Sequence, residues 1–478
     1  MEITDAERMI NWFPEASFVQ TRSGSTNHVT GLPADAETVM AYNGPSMKLF
    51  VVSGTKLYDA TGTASASAGM EGLSGLSNAR FQYVNFTTPG GSFLIAVNGA
   101  DTAKKYDGST WANTAIISSA TSSSFINVSV FKERLFFIPS ASLTFYYMDA
   151  VEAIAGTAAA FPLGSLFAKA GYLMAAGAWT RDGGHGMDDF AVFVTSEGEV
   201  AVYSGSDPGD ANDWALVGVY QIPKPLGRRC LQKFGGDLWV LTEAGVLPMS
   251  TVLSGIEPQS FLTDKINPAV ADAVKMYRDN YGWQLFYAPF AHMLILNVPV
   301  KTGDKQEQYV MNTNTGAWCR FKGLYANCWE VFSSKLYFGG DTTVAFMEES
   351  TNDNGSDIDV DVKQAASNFG TARYKKFGMY KPFINADGTI PLKYGFNVDF
   401  NDRLPGSIPT PVDVSIPFWG TATWTPNMQW TGKPRPSGSW QSASDAGTYG
   451  SVRMRGAVSQ QILQWNATAV TFEVGGLG

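Results

Sequence analysis

The sequence predicts an all-β chain, a β-propeller followed by a β-sandwich-like domain, and three observations predict it. The composition is poor in charge (16%) and rich in aromatics (13%), with 49 glycines among 478 residues. That mixture suits many short strands and tight turns rather than helices with solvated faces. A short apolar run followed by a second strand recurs along the chain, and the turns repeat one chemistry. The length also exceeds one ordinary core, so two or more domains are expected.

The apolar runs begin at Lys48 (KLFVV), Phe93 (FLIAV), Arg134 (RLFFI), Phe190 (FAVFV), Asp237 (DLWVL), Met293 (MLILN) and Lys335 (KLYFG). Successive starts fall 45, 41, 56, 47, 56 and 42 residues apart. A propeller blade is a four-stranded sheet packed on its neighbours around a channel, and takes roughly 40–50 residues. Seven blades is the count, and six results if the weaker copies are merged. In Tyr106–Trp111, Ser204–Trp214 and Asn312–Trp318, Asp, Asn, Gly and Ser precede a tryptophan. Such residues accept positive φ or bond their own backbone, and the tryptophan then covers the blade edge.

Four regions follow. Residues 1–37 lack a compact pattern and read as an arm packed on the propeller. Residues 38–350 hold the blades, with a helical insertion near 266–281 (INPAVADAVKMYRDNY). There Asn267 can cap, Pro268 suits the first turn, and Val270, Val274 and Tyr277 share a face. GSLFAKAGYLMAAGAW, residues 164–179, has a second helical pattern interrupted by glycines. Polar residues 351–367 read as a connection. Residues 368–478 contain alternating strands (KYGFNVDF, VDVSIPF, GSVRMRGAV, AVTFEVG) between Pro, Gly and Ser turns, as in a β-sandwich. Trp419, Trp424, Trp430, Trp440 and Trp465 cluster in that region.

Net charge is −9; residues 355–478 carry +2, leaving −11 on the larger part. That balance argues against an overall phosphate-gripping surface. Cys230, Cys319 and Cys328 offer neither a disulfide framework nor zinc-ligand spacing, and are expected as buried thiols. The acidic start MEITDAER lacks a signal-peptide core. The most apolar candidate span, Phe161–Trp179, is broken by Pro162, Gly164 and Lys169 and cannot cross a bilayer. Synthesis in reducing cytosol, or assembly there, is the expectation.

Three stretches invite a chemical reading. WTRDGGHGMDDF gathers Arg181, Asp182, His185 and Asp188 around glycines. A lone His without a second His or Cys at short spacing is a poor metal site, and adjacent Asp188 and Asp189 point to opposite faces of a strand. The stretch therefore reads as a loop for subunit or partner contacts. SDPGDANDW lacks the glycine and glutamate of a helical calcium loop and reads as a turn. RYKKFGMYKPF carries Arg373, Lys375, Lys376 and Lys381, a composition that can bind nucleic acid but is more often a solvated strand face. No phosphate loop, nucleophile elbow or helical zinc motif occurs. No catalytic residue, metal or cofactor is expected.

Taken together, NWFPEAS, DDFAVFVTSEGEVAVYSGSDP, LGRRCLQKFGGDLWVLTEAGV, QYVMNTNTGAWCRF and LQWNATAVTFEVGG resemble tail proteins of bacteriophages and prophages, over most of the chain from about residue 11. The nearest functional match is the nozzle or hub proteins of short tails, also called packaged-DNA-stabilisation proteins. That resemblance implies a structural virion protein, assembled in the host cytoplasm as a homohexameric ring below the portal and adaptor. Such a ring extends the channel for double-stranded DNA, helps retain the genome, and docks fibres or a tail tip. Two other classes compete. A polysaccharide depolymerase would need a carboxylate pair, for which Asp182 with Asp188 or Asp207 with Asp210 are candidates. A glycan-binding module would stack sugars on exposed tryptophans such as Trp424 and Trp430.

Overall fold

The computed structural model describes residues 5–182, 187–254, 260–301, 304–347, 350–386, 390–405, 435–437, 439–443, 445–459 and 461–475. The chain divides into two compact units. One comprises Asn27–Gln308 with Leu324–Phe346; the other comprises Met1–Thr26, Tyr309–Gly323 and Met347–Gly478.

The first unit is a β-propeller. Its first blade is Ala36–Tyr42, Lys48–Ser53, Lys56–Asp59 and Glu71–Leu73, in spatial order. The second is Gln82–Thr88, Gly91–Val97, Lys104–Tyr106 and Trp111–Asn113. The third is Phe125–Phe131, Arg134–Pro139, Thr144–Met148 and Gly156–Pro162, extended by Ile116–Ile117. The fourth is Leu173–Asp182, Met187–Thr195, Glu199–Ser204 and Ala215–Gln221. The fifth has three strands, Leu231–Phe234, Asp237–Thr242 and Gly245–Pro248, and the chain then turns into helix Met249–Ser254. The sixth begins with the hairpin Gln284–Ala288 and Met293–Val298. The seventh is Cys328–Phe332, Lys335–Gly339 and Val344–Met347, completed by the early strand Ser25–Thr30. Cys328–Phe332 lies against Ala36–Tyr42, so the circle of first strands closes.

The recurring apolar run is the second strand of every blade, and its burial explains the repeat. Alternate residues of a strand face opposite sides, and here each side meets a different blade. Leu49 and Val51 pack with Cys328, Tyr337 and Val344 of the seventh blade. Phe50 and Val52 pack with Leu94 and Ala96 of the second. Ile95 and Val97 then pack with Leu135 and Phe137 of the third, and Phe136 and Ile138 with Ala191 and Phe193 of the fourth. Val192 and Val194 continue to Val240 of the fifth. Neither face reaches water, so no polar alternation survives in the sequence.

The turns Tyr106–Trp111 and Ser204–Trp214 join the third and fourth strands of their blades. Trp214 stacks on Tyr203 at 5.1 Å and meets Phe131 of the preceding blade at 6.0 Å. Its turn is held by Asp213, whose carboxylate accepts from Ser206 N (2.6 Å), Ser206 Oγ (2.8 Å) and Asp207 N (2.8 Å). Gly205 opens that turn at φ +115°, where a Cβ would lie 2.2 Å from Asp213 O. A side chain has no room there.

Three expectations change. Within the expected arm 1–37, the described residues 5–37 are not an arm: Ser25–Thr30 closes the propeller, and Ala6–Ile10, Trp12–Pro14 and Val19–Thr21 are strands of the second unit. The helix runs Asn267–Tyr277, with Val270, Ala273 and Val274 buried, and Asn267 is its first residue rather than its cap. Residues 164–179 form no helix; Gly171 adopts φ +138°, and Leu173–Asp182 extends as the first strand of the fourth blade.

The second unit is a β-sandwich, assembled from three chain segments rather than from 368–478 alone. One sheet contains Trp318–Lys322, Ala6–Ile10, Ile358–Gln364, Gly450–Val458 and Leu392–Val398, in that spatial order. The other contains Trp12–Pro14, Val19–Thr21, Gln464–Val474 and Lys375–Ala386. Between them lie Trp12, Val360, Val362, Phe377, Ile384, Val452, Met454 and Trp465. The expected connection 351–367 is thus partly an inner strand. Its IDVDVK pattern hides this because Asp361 and Lys363 are buried in ion pairs: Arg453 grips Asp361 at 2.9 and 2.6 Å, and Lys363 Nζ lies 2.9 Å from Glu7. VDVSIPF and the tryptophans Trp419, Trp424 and Trp430 lie outside the described residues.

Phe193 stacks on Phe145 of the neighbouring blade at 4.3 Å and is fully buried. Phe193→Ala is expected to cost about 3–5 kcal/mol, the range for a buried phenylalanine. Chemical denaturation checks this, and a loss below about 1 kcal/mol would contradict the blade-to-blade packing.

Candidate functional site

The first strands carry the polar residues that the second strands lack, because their inner side faces the propeller axis. They enclose an axial cavity of about 340 Å³, lined by Thr38, Tyr83, Asn127, Gln284, Trp329 and Glu330 among others. Glu330 accepts a hydrogen bond from the Tyr83 hydroxyl. Burial pushes the Glu330 carboxyl up to about 7, against the opposing pull of the Tyr83 bond and of Arg229. Burial and the Glu330 charge push Tyr83 up as well, so it remains a donor. Arg229 anchors the wall: Nη2 donates to Glu37 O (3.0 Å), Thr38 Oγ1 (2.8 Å) and Phe81 O (3.3 Å).

At one end of the axis the loops that lead into the first strands form a wider cavity of about 630 Å³. Arg80 arrives ahead of the second blade, Lys224, Arg228 and Arg229 ahead of the fifth, and Arg278 and Tyr281 ahead of the sixth. Apart from Arg228 and Arg229, adjacent in LGRRC, none of these stands out in the sequence, since they come from separate blades.

The sequence-derived candidates lie elsewhere. Arg181 and Asp182 end one strand and Asp188 is the second residue of the next, with Arg181 opposite Asp188 and Asp182 opposite Met187 in the ladder. They thus lie on two paired strands of the fourth blade; His185 lies outside the described residues. The neighbouring Asp189 is bound to Lys132 of the third blade at 2.6 Å, which holds its carboxyl below the usual range. Asp207 pairs with Arg134 at 2.8 Å and accepts from Gly209 N, while Asp210 accepts from Asn212 N. Both are turn-forming carboxylates. Among the described residues no group of three His, Cys, Asp or Glu can hold a metal ion.

The basic stretch divides. Arg373 and Lys376 are exposed and Lys381 is partly so. Lys375 is fully buried and is not a surface residue: its Nζ donates to the carbonyls of Thr371 (2.5 Å), Arg373 (2.9 Å) and Thr448 (2.9 Å). Three carbonyls offset the loss of water around the ammonium. The three cysteines are free and buried as expected, and burial raises the thiols of Cys230 to about 12 and Cys328 to about 11. They are unreactive at neutral pH. No described helix is long and apolar enough to cross a membrane.

No family model matches the chain, and no curated protein matches it. Among solved structures, it is similar to BBS1N from its complex with ARL6DN (11% identity, TM-score 0.41, covering 70% of this chain and 99% of that one). It is also similar to YCF48 bound to a D1 peptide (11%, TM-score 0.36, 70% and 96%). A third is a proposed 6-phosphogluconolactonase from Bacteroides fragilis (11%, TM-score 0.37, 74% and 92%).

Glu330 makes stability depend on pH. Its folded-state pKa of about 7 exceeds the ordinary 4.5, so the folded chain binds this proton more tightly. The contribution is full below pH 4.5 and lost as pH rises through 7, on the order of 3 kcal/mol in all. Glu330→Gln is expected to flatten this portion of the curve. Denaturation midpoints of both proteins across that window check it, and parallel curves would contradict it.

Proposed function

We propose that this chain is a non-catalytic structural subunit of a short bacteriophage tail, a nozzle or hub protein. In this reading it forms a homohexameric ring below the portal and adaptor, surrounds double-stranded DNA without sequence-specific binding, and docks fibres or a tail tip. Support comes first from the long sequence phrases that resemble that family. The acidity of residues 1–354 also suits a wall along which phosphate slides.

The structural observation that carries the reading is an unprotected sheet edge. Ala215–Gln221 is the outermost strand of the fourth blade and, among the described residues, pairs on one side only, with Glu199–Ser204. Its sequence ALVGVYQ contains no charge or proline, and Leu216, Val217 and Val219 are 41%, 45% and 39% exposed. Natural edges are normally blunted by charge, proline or a covering segment, because a bare apolar edge templates pairing with another chain. A subunit that buries this strand in an assembly has no need of such protection. Of the two carboxylate pairs that a depolymerase could use, Asp207 and Asp210 are committed to their turn; the side chains of Asp182 and Asp188 lie outside the described residues.

Leu216→Lys with Val219→Lys places two charges on this edge while leaving the blade core untouched. The pair is expected to weaken assembly about tenfold or more, with little change in melting temperature. Mass measured in solution against concentration checks it. Equal assembly by variant and parent, or a parent that stays monomeric throughout, would overturn the proposal.

A further inference from the structure

The axial cavity of about 340 Å³ holds one acid and one base that do not pair with each other. Glu330, on the first strand of the seventh blade, is half-buried in its wall. Its Oε2 accepts from the Tyr83 hydroxyl and its Oε1 from Val331 N at 3.0 Å. A carboxylate has about four acceptor positions, so roughly half stay open. No cation lies within ion-pair distance of Glu330 among the described residues. Arg229 attracts it from farther off, with Nη2 already engaged by Glu37 O, Thr38 Oγ1 and Phe81 O. Burial outweighs that attraction and holds the carboxyl at about 7.

The base is Arg228. It is half-buried and lines both this cavity and the wider one at the axis end, so it stands where the two meet. It reaches across from the loop ahead of the fifth blade: a Cβ added at Gly99 of the second would lie 3.4 Å from its Nη1 and 3.8 Å from Ile126 Cα. Burial lowers it from its ordinary value, and the groups that act on it most, Tyr281, Tyr172, Arg80 and Arg229, include no carboxylate. The acids of the wider cavity are engaged elsewhere. Glu197 pairs with Lys224 at 2.7 Å and Glu243 with Arg278 at 2.6 Å, while Asp279, 97% exposed, lies 3.8 Å from Arg278. Beside Ile126, Asn127 also lines the axial cavity and is 7% exposed. Its Oδ1 accepts from Ala176 N at 3.3 Å, and its Nδ2 has no partner among the described residues. Buried polar groups are nearly always bonded, and a free donor facing a cavity calls for an acceptor there.

A plain anion would satisfy Arg228 and leave Glu330 without a partner, and a plain cation would do the reverse. A molecule that carries both charges satisfies both. We propose that the axial cavity binds a small zwitterion of the amino-acid class, its ammonium on Glu330 and its carboxylate on Arg228 and Asn127 Nδ2. The guanidinium fork matches a carboxylate, and an ammonium fits the open acceptor positions of Glu330. The cavity volume lies in the range of small-molecule sites. This site is independent of the edge strand Ala215–Gln221 and of any assembly built on it.

The test is calorimetric titration of the full chain with glycine, 3-aminopropanoate and 4-aminobutanoate, which step the distance between the two charges. Methylamine and acetate, each carrying one of the charges, are the controls. The expected result at pH 8 is saturable one-to-one binding of at least one zwitterion, and none of either control at the same concentrations. Affinity should rise about tenfold from pH 6 to pH 8, as Glu330 ionises through about 7. Glu330→Gln and Arg228→Gln should each weaken binding about tenfold or more, the worth of one charge-assisted contact. Lys224→Gln, whose ammonium belongs to Glu197, should alter it little. If a site variant fails to fold, the pH profile of the parent protein decides. No saturable binding of any of the three zwitterions at millimolar concentration would overturn the proposal. So would equal affinity at pH 6 and pH 8, or acetate binding as tightly as the zwitterions, which would reveal a plain anion site.

Discussion

The propeller depends on one packing constraint: the second strands are buried on both faces, and those of the first four blades are each sandwiched between two neighbouring blades. Alternate side chains of KLFVVS point to the seventh blade and to the second, and the same division passes from blade to blade. A one-residue slip in any of these strands would exchange its two partners, so the register is fixed from both faces. Circular closure adds a second condition. The seventh blade needs Ser25–Thr30 as its last strand, which ties the beginning of the propeller to its end.

That constraint also explains what is legible in the sequence. A strand buried on both faces writes a continuous apolar run that needs no knowledge of its neighbours, which is why seven runs can be counted. The first strands are harder to see, since ETVMAY and QYVNFTT mix apolar residues facing the blades with polar ones facing the axis. The closing strand STNHVT looks like a polar arm because its partner, Val344–Met347, comes from the far end of the propeller sequence. In the sandwich unit, IDVDVK reads as a connection because its buried Asp361 and Lys363 are charged, and only their ion pairs with Arg453 and Glu7 make them core residues.

The candidate sites show the same division between local and distributed signals. Arg181, Asp182, His185 and Asp188 attract notice because they are close in sequence, yet the described part of that stretch lies on two paired strands of one blade. The axial groups come from separate blades, and only folding unites Tyr83 with Glu330 or Arg80 with Tyr281. Lys375 shows the converse error: a lysine in a basic run is counted as surface until three carbonyls are found around its ammonium. A rigid ring of blades is well suited to present loops and edges to partners.

The central claim is that this propeller and sandwich serve as a part of a short phage tail. The most direct measurement is immunogold electron microscopy of the source lysate with antibody to this chain. The account predicts gold at the distal end of short-tailed particles. Particles free of gold, with the protein recovered only in solution, would contradict it.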